Sequence, residues 1–372
     1  MSDPSVHAVA DSPLVQLLTP EGVRTTSPEH AYDGSLADIQ DLFRDLVMTR
    51  RLDTEAFALQ RHGELGLWPP ALGQEAAQVG SARALRAQDF AFPTYRDHGV
   101  VLCRGEDPVH LLSIFRGSSL GGWDPADHNV ALPNIIIGAQ TLHATGYAMA
   151  LTIEGLVGTG DPERDAASIA YLGDGATSQG DFNEALDWAA VHQAPVVFFC
   201  QNNHYAISVP LERQTRVPIV QRADGFGLPG VRVDGNDVLA CHAVTTAALQ
   251  RARDGQGPTL IEAVTYRMGP HTTSDDPTRY REAAEADGWR AKDPIERVRL
   301  YLAAEGVSQD WFDGVQAEAD ALGVHLREAC QNIPEPDLAA LFDHVHVDTT
   351  PETEQQKAEY VAWRDSLEGS VA

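Results

Sequence analysis

Gly173-Asp174-Gly175 and Asn202-Asn203 are separated by 26 residues, and each group ends a short apolar run. The runs, Ala167–Leu172 and Pro195–Cys200, read as buried strands. The segment between them, about Asp181–His192, reads as the crossover helix that parallel strands require. Both loops therefore leave the carboxyl ends of neighbouring strands, where open α/β sheets bind ligands. Asp174 offers a carboxylate and Asn203 an amide oxygen. With a nearby main-chain carbonyl they form an oxygen set suited to Mg²⁺, a hard ion that also binds phosphate oxygens. Gly173 and Gly175 tolerate unusual dihedrals and let a ligand approach the backbone closely. Two ordinary βα turns capped by Asp and Asn would give the same residue types, but type, spacing and strand context together favour a site.

The surrounding elements fit that placement. Apolar positions Leu36, Ile39, Phe43, Leu46 and Val47 recur at helical spacing and continue towards Phe57 and Leu59. Asp107-Pro108 opens a helix carrying Leu111, Leu112 and Phe115, which Gly117 stops. Gly138–Leu156 reads as a helix lined with small residues. Val231-Arg232-Val233 begins a third strand, Asn236–Arg253 forms a helix, and Thr259–Tyr266 makes a fourth strand. Strand–helix repetition with near-continuous apolar strands predicts an α/β fold, a parallel sheet flanked by helices on both faces. The first 34 residues read as an extended N-terminal arm, residues 35–345 as the α/β domain, and 346–372 as a charged helical tail.

Composition narrows the function classes. The 27 basic residues against 54 acidic ones give a net charge of −27, which disfavours nucleic acid as a partner. Any anionic ligand must then be held by local positive charge. Only Lys292 and Lys357 are lysines, so arginine, suited to two-pronged anion recognition, carries that task. No apolar run reaches the ~18 residues of a membrane span, and no membrane partner is expected. Cys103, Cys200, Cys241 and Cys330 are scattered without a CxxC pair, as expected of reduced thiols. Met1–His30 lacks the pattern of a signal or transit peptide, and the expected location is a bacterial cytoplasm.

The stretch from Gly173 to Asn203 resembles the thiamine diphosphate-binding motif, GDG followed by NN. Ala176-Thr177-Ser178-Gln179-Gly180 and Phe199-Cys200-Gln201-Asn202-Asn203-His204-Tyr205-Ala206-Ile207-Ser208 resemble the α subunit of 2-oxoacid dehydrogenases, the decarboxylating components of the pyruvate and branched-chain complexes. The similarity runs from about Leu36 to past Pro294. It implies the thiamine diphosphate-binding fold, with the cofactor core at about 132–276. It implies thiamine diphosphate and Mg²⁺ as cofactors, with Asp174, Asn203 and the main-chain oxygen of Tyr205 on the metal and Gly173, Gly175 and Ala176 along the cofactor. Tyr95-Arg96 matches the family's diphosphate-binding YR pair. His271, in Tyr266–Asp276, matches a histidine facing the diphosphate and the reacting centre. Ile135 and Ile137 match residues whose main chain holds the aminopyrimidine.

The implied activity is oxidative decarboxylation of a 2-oxo acid with reductive acylation of a lipoyl group on an acyltransferase partner. The glutamate that activates the cofactor belongs, in this family, to a separate β subunit. The resemblance therefore implies an α2β2 assembly that is active only when complete. The loop Thr272-Thr273-Ser274-Asp275-Asp276 looks closer to branched-chain enzymes, acting on 3-methyl-2-oxobutanoate, than to the pyruvate alternative. A non-catalytic scaffold keeping the fold is the reading from another class. Thr272 stands where animal relatives carry a regulatory phosphoserine and Pro270 where some carry histidine, so kinase control is not expected. Gln201 stands where some relatives carry Arg, which would remove one phosphate contact.

Other motifs carry less. Gly117-Ser118-Ser119-Leu120-Gly121 satisfies G-x-S-x-G but follows a helix, whereas a nucleophile elbow follows a strand. Gly173-x-Gly175 has Ser178 where a dinucleotide fingerprint needs its third glycine. His344-Val345-His346 reads as an alternating surface strand in preference to a metal pair.

Overall fold

A computed structural model describes residues 14–119 and 121–368. Residues 1–13 of the arm, Leu120 of the G-x-S-x-G stretch and residues 369–372 of the tail lie outside the described residues. Five parallel strands, β1 (Phe90–Phe92), β2 (Ser168–Gly173), β3 (Val196–Asn202), β6 (Gly230–Asp234) and β7 (Thr259–Val264), form one sheet in the order β1-β2-β3-β7-β6. Two short strands, β4 (Tyr205–Ala206) and β5 (Val209–Pro210), make a hairpin just beyond β3.

Alternate residues of each strand enter different cores, as the two-residue period of a strand requires. Ile169, Tyr171, Val197, Phe199 and Ile261 face one cluster, shared with helices α1 (Leu36–Arg61), α2 (Glu75–Arg83) and α9 (Val238–Arg253). Ala170, Leu172, Val196, Phe198 and Leu260 face the other, shared with α6 (Ala139–Ile153) and α7 (Gly180–His192). Both faces are covered, so the central strands are mostly apolar.

Local signals set the helix ends. Ser35 and Asp38 form a reciprocal capping box at the start of α1. Asp107 caps the helix Pro108–Arg116, which Gly117 ends at φ +81°. The described part of the N-terminal arm lies along the open edge of β6. Val15 pairs with Val233, and the amides of Leu17 and Leu18 both donate to Asp237 Oδ2 at 2.6 Å. One expectation is corrected. His344-Val345-His346 forms no strand; it continues a 3₁₀ turn, Leu338–His344, because no strand among the described residues pairs with it. No cluster of three metal-ligating side chains forms among the described residues. No helix there is long and apolar enough to cross a membrane.

Candidate active site

The carboxyl ends of β1, β2, β3 and β7 converge on one cleft of about 290 Å³. Asp174 follows β2, Asn203 follows β3, Tyr95 and Arg96 follow β1, and Arg267 and His271 follow β7. The structure thus joins four sequence-separated groups at one end of the sheet. The first residue of α6 follows Gly138, whose φ of +89° aims that helix at the cleft. A Cβ on Gly138 would meet Gln179 Cβ at 3.2 Å.

Asp174 sits at the bottom, 1% exposed. It accepts from the Asn203 amide at 3.3 Å and from Gln214 Nε2 at 2.7 Å, and no ion pair reaches it among the described residues. Burial pushes its pKa up, because nothing nearby fully balances the charge. Asn203 Nδ2 donates to Gln74 Oε1 at 3.0 Å, while its Oδ1 accepts from the Tyr205 amide at 3.3 Å. The loop they share is bent through two left-handed residues, His204 at φ +72° and Ile207 at φ +56°. A β-branched residue is strained there. Arg267 holds the bend, donating to the carbonyls of Tyr205 (3.2 Å) and Ile207 (2.7 Å).

Positive charge gathers at the other side. Arg96 is buried, with Nη1 donating to the Pro70 carbonyl at 2.6 Å and Nη2 to His271, at 2.8 Å to its carbonyl and 3.1 Å to Nδ1. Its guanidinium also lies 5.5 Å from the centre of the Tyr95 ring. Arginine only donates, so Nδ1 of His271 accepts and the ring proton sits on Nε2. Burial, then Arg96 and Arg267, lower the His271 pKa to about 4. The ring is therefore neutral at pH 7 and gains charge only as the pH falls towards that value. In ¹⁵N spectra of the cofactor-free chain, the His271 ring is expected to keep its Nε2–H pattern from neutral pH to about 5. A doubly protonated ring at pH 6 would contradict this geometry.

Of the sequence candidates, Tyr95, Arg96, Ile137, Gly173, Asp174, Gly175, Ala176, Asn203, Tyr205 and His271 all line the cleft. Ile135 does not; its side chain is 67% exposed beside Ile136 at 72%. Gln201 lines the wall, but Asp97 Oδ1 accepts from its Nε2 at 2.5 Å and its Oε1 accepts from Gln78 Nε2 at 3.2 Å. Several wall residues have no sequence signature. Gln74 and Gln140 line the cleft with one buried amide atom each, Nε2 and Oε1, lacking a partner among the described residues. Arg267 was within reach of sequence reading, since it directly follows a strand at the ligand edge.

Residues 44–332 match the family model described as dehydrogenase E1 component. The chain is 48% identical, over 92% of both lengths, to the 3-methyl-2-oxobutanoate dehydrogenase subunit alpha of Mycobacterium tuberculosis. It is 40% identical to the pyruvate dehydrogenase E1 component subunit alpha of Staphylococcus epidermidis, over 79% of this chain and 78% of that one. The corresponding Staphylococcus aureus protein is 41% identical over the same shares. A cleft at the strand ends, with a buried carboxylate facing an arginine and a histidine, thus sits within a match spanning most of the chain, and the protein belongs to the dehydrogenase E1 component family of oxidoreductases.

Proposed function

We propose that this chain is the α subunit of a branched-chain 2-oxoacid dehydrogenase. With a β subunit it would decarboxylate 3-methyl-2-oxobutanoate-type acids oxidatively and pass the acyl group to a lipoyl group of an acyltransferase partner. The observation that carries the reading is the charge layout of the cleft, an unpaired buried carboxylate at one side and Arg96 with His271 at the other. The higher and longer match to the mycobacterial subunit supports the branched-chain substrate over pyruvate.

The residues fit thiamine diphosphate and Mg²⁺, the family in general being thiamine diphosphate-dependent. A carboxylate as deep as Asp174, bonded only to neutral donors, lacks a compensating charge that a divalent cation would bring. Asn203 adds an amide oxygen. The Tyr205 carbonyl accepts from Arg267 and keeps a second lone pair. These three would hold Mg²⁺. Arg96 uses three of its five N–H donors on Pro70 and His271, so two are left for an anion beside the Tyr95 hydroxyl. Gly173, Gly175 and Ala176 would lie along the cofactor. A Cβ on Gly175 would come within 2.8 Å of Ala206 Cβ, so the wall there has room only for glycine. The main chain at Ile137, which lines the cleft, would hold the aminopyrimidine.

Thiamine diphosphate, when bound, supplies the nucleophilic carbon and the electron sink for loss of CO₂. The chain's own part is placement and charge. Arg96 orients the diphosphate, and His271, kept neutral, donates from Nε2 near the reacting centre. The exposed side chains of Ile135, Ile136 and Ile207 form an apolar lip that suits coverage by the β subunit, which would complete the site in an α2β2 assembly. The four free thiols suit a reducing cytoplasm.

The test is a rate comparison with the β subunit present. The kcat/KM for 3-methyl-2-oxobutanoate should exceed that for pyruvate by about tenfold or more, since even one added carbon in an apolar pocket contributes roughly that discrimination. A preference for pyruvate would replace the branched-chain reading with the pyruvate one. Absence of turnover with either acid would favour a scaffold.

A further inference from the structure

The cationic side of the cleft rests on a segment that lies outside every site motif. Residues 68–71 cross beneath Arg96 and beside the His271 loop and bond to both. The Pro70 carbonyl accepts from Arg96 Nη1 at 2.6 Å. Trp68 clasps the loop from both directions, its carbonyl accepting from the Thr273 amide at 2.9 Å and its amide donating to Thr273 Oγ1 at 3.1 Å. The Pro69 carbonyl lies 3.0 Å from His98 Nε2, and the His98 ring stacks on Trp68 at 4.1 Å. Two prolines and the fully buried Trp68 make the segment stiff, and His98, the first residue of the helix His98–Cys103, ties its middle to the body of the fold.

Asp53 ties the segment's two ends. It lies within α1, buried, and its Oδ1 accepts from both ends of the segment, from Trp68 Nε1 at 2.8 Å and from the Ala71 amide at 2.9 Å. One carboxylate oxygen therefore joins both ends of the span whose carbonyls hold Arg96 and Thr273. We propose that Asp53 is a positioning residue which, through the Trp68–Ala71 strut, sets the Arg96 guanidinium and the His271 loop for diphosphate binding. The inference rests on the cofactor reading given above. It assigns Asp53 no contact with the cofactor, and it requires an acceptor oxygen at this position, with no requirement for a negative charge.

The experiment compares Asp53→Asn, Asp53→Leu and Thr273→Val in the full chain assembled with its β subunit. Thiamine diphosphate affinity is read by calorimetry at saturating Mg²⁺, and tryptic cleavage after the exposed Arg279 is followed by mass spectrometry. Asp53→Asn keeps the acceptor and should bind within about threefold of the parent. Asp53→Leu should weaken binding by about tenfold or more and speed cleavage at Arg279. Thr273→Val should reproduce the faster cleavage, and combining it with Asp53→Leu should add less than the sum, because both act on one strut. Parent-like affinity and cleavage in a folded Asp53→Leu would overturn the proposal. So would equal losses in Asn and Leu, which would point to charge. If Asp53→Leu does not fold, unchanged cleavage and affinity in Thr273→Val would overturn it, and faster cleavage with weaker binding would support it. If the parent itself binds no thiamine diphosphate, the cofactor reading fails, while the cleavage rates of the three variants still decide the strut.

Discussion

Asp174→Ala is expected to weaken Mg²⁺-dependent thiamine diphosphate binding by more than ~100-fold and to abolish turnover with the β subunit present, in a chain that stays folded. Loss of a group merely supporting a metal ligand commonly costs 10–100-fold, and Asp174 would be the charged ligand itself. The fold should tolerate the change for a specific reason. Gln214 Nε2, one of its two donors, also bonds the Val209 carbonyl at 3.0 Å and keeps that partner. Removing a carboxylate whose pKa is raised by burial also removes a desolvation cost, so stability should hold or rise. Calorimetry with and without Mg²⁺, beside circular dichroism, separates the two effects. Unchanged affinity in the variant would remove Asp174 from the metal site. An unfolded variant would contradict the argument that its carboxylate is a cost to the fold.

Arg253→Met is expected to destabilise the chain by about 3–5 kcal/mol, the usual consequence of stranding one partner of a buried ion pair. Arg253, at the end of α9, is 2% exposed, and Asp89, just before β1, is wholly buried. The guanidinium grips the carboxylate with two donors, Nε at 3.0 Å from Oδ1 and Nη2 on Oδ2. Asp89 also accepts from the amides of Ala167 (2.9 Å) and Arg86 (2.7 Å), so it anchors the starts of β1 and β2 together. Methionine leaves that carboxylate buried without its paired cation. Asp89→Asn added to Arg253→Met removes the stranded charge and should recover part of the loss. Denaturant midpoints measure both. A single variant within 1 kcal/mol of the parent would show that water reaches the pair.

Much of the cleft was legible along the chain because Asp174 and Asn203 lie in contiguous, strand-terminated motifs. Asp174 and Asn203 could be named from spacing alone, and Tyr95, Arg96 and His271 from resemblance. Helix α2 was not legible. All residues from Glu75 to Ala82 are buried, polar ones included, so no amphipathic period marks it. Strand β1 is three residues long, too short for alternation to show. At His344-Val345-His346 alternation was present and misled, since a strand also needs a neighbour to pair with.

The amino-acid sequence by itself determined the class of this protein. Apolar strands, crossover helices and the Gly173–Asn203 motif specify a parallel sheet with an oxygen-rich site at its strand ends, because these depend on residue type over short spans. Only the tertiary structure decided how that site is held. Gln74 meets Asn203 across 129 residues of chain, Arg267 grips the carbonyls of a strained loop some sixty residues before it, and Asp53 reaches the site through Trp68. Such partners carry no periodicity or motif. A buried amide, guanidinium or carboxylate bonds to whatever polar group packing brings within about 3 Å, and packing is settled only when the whole core closes.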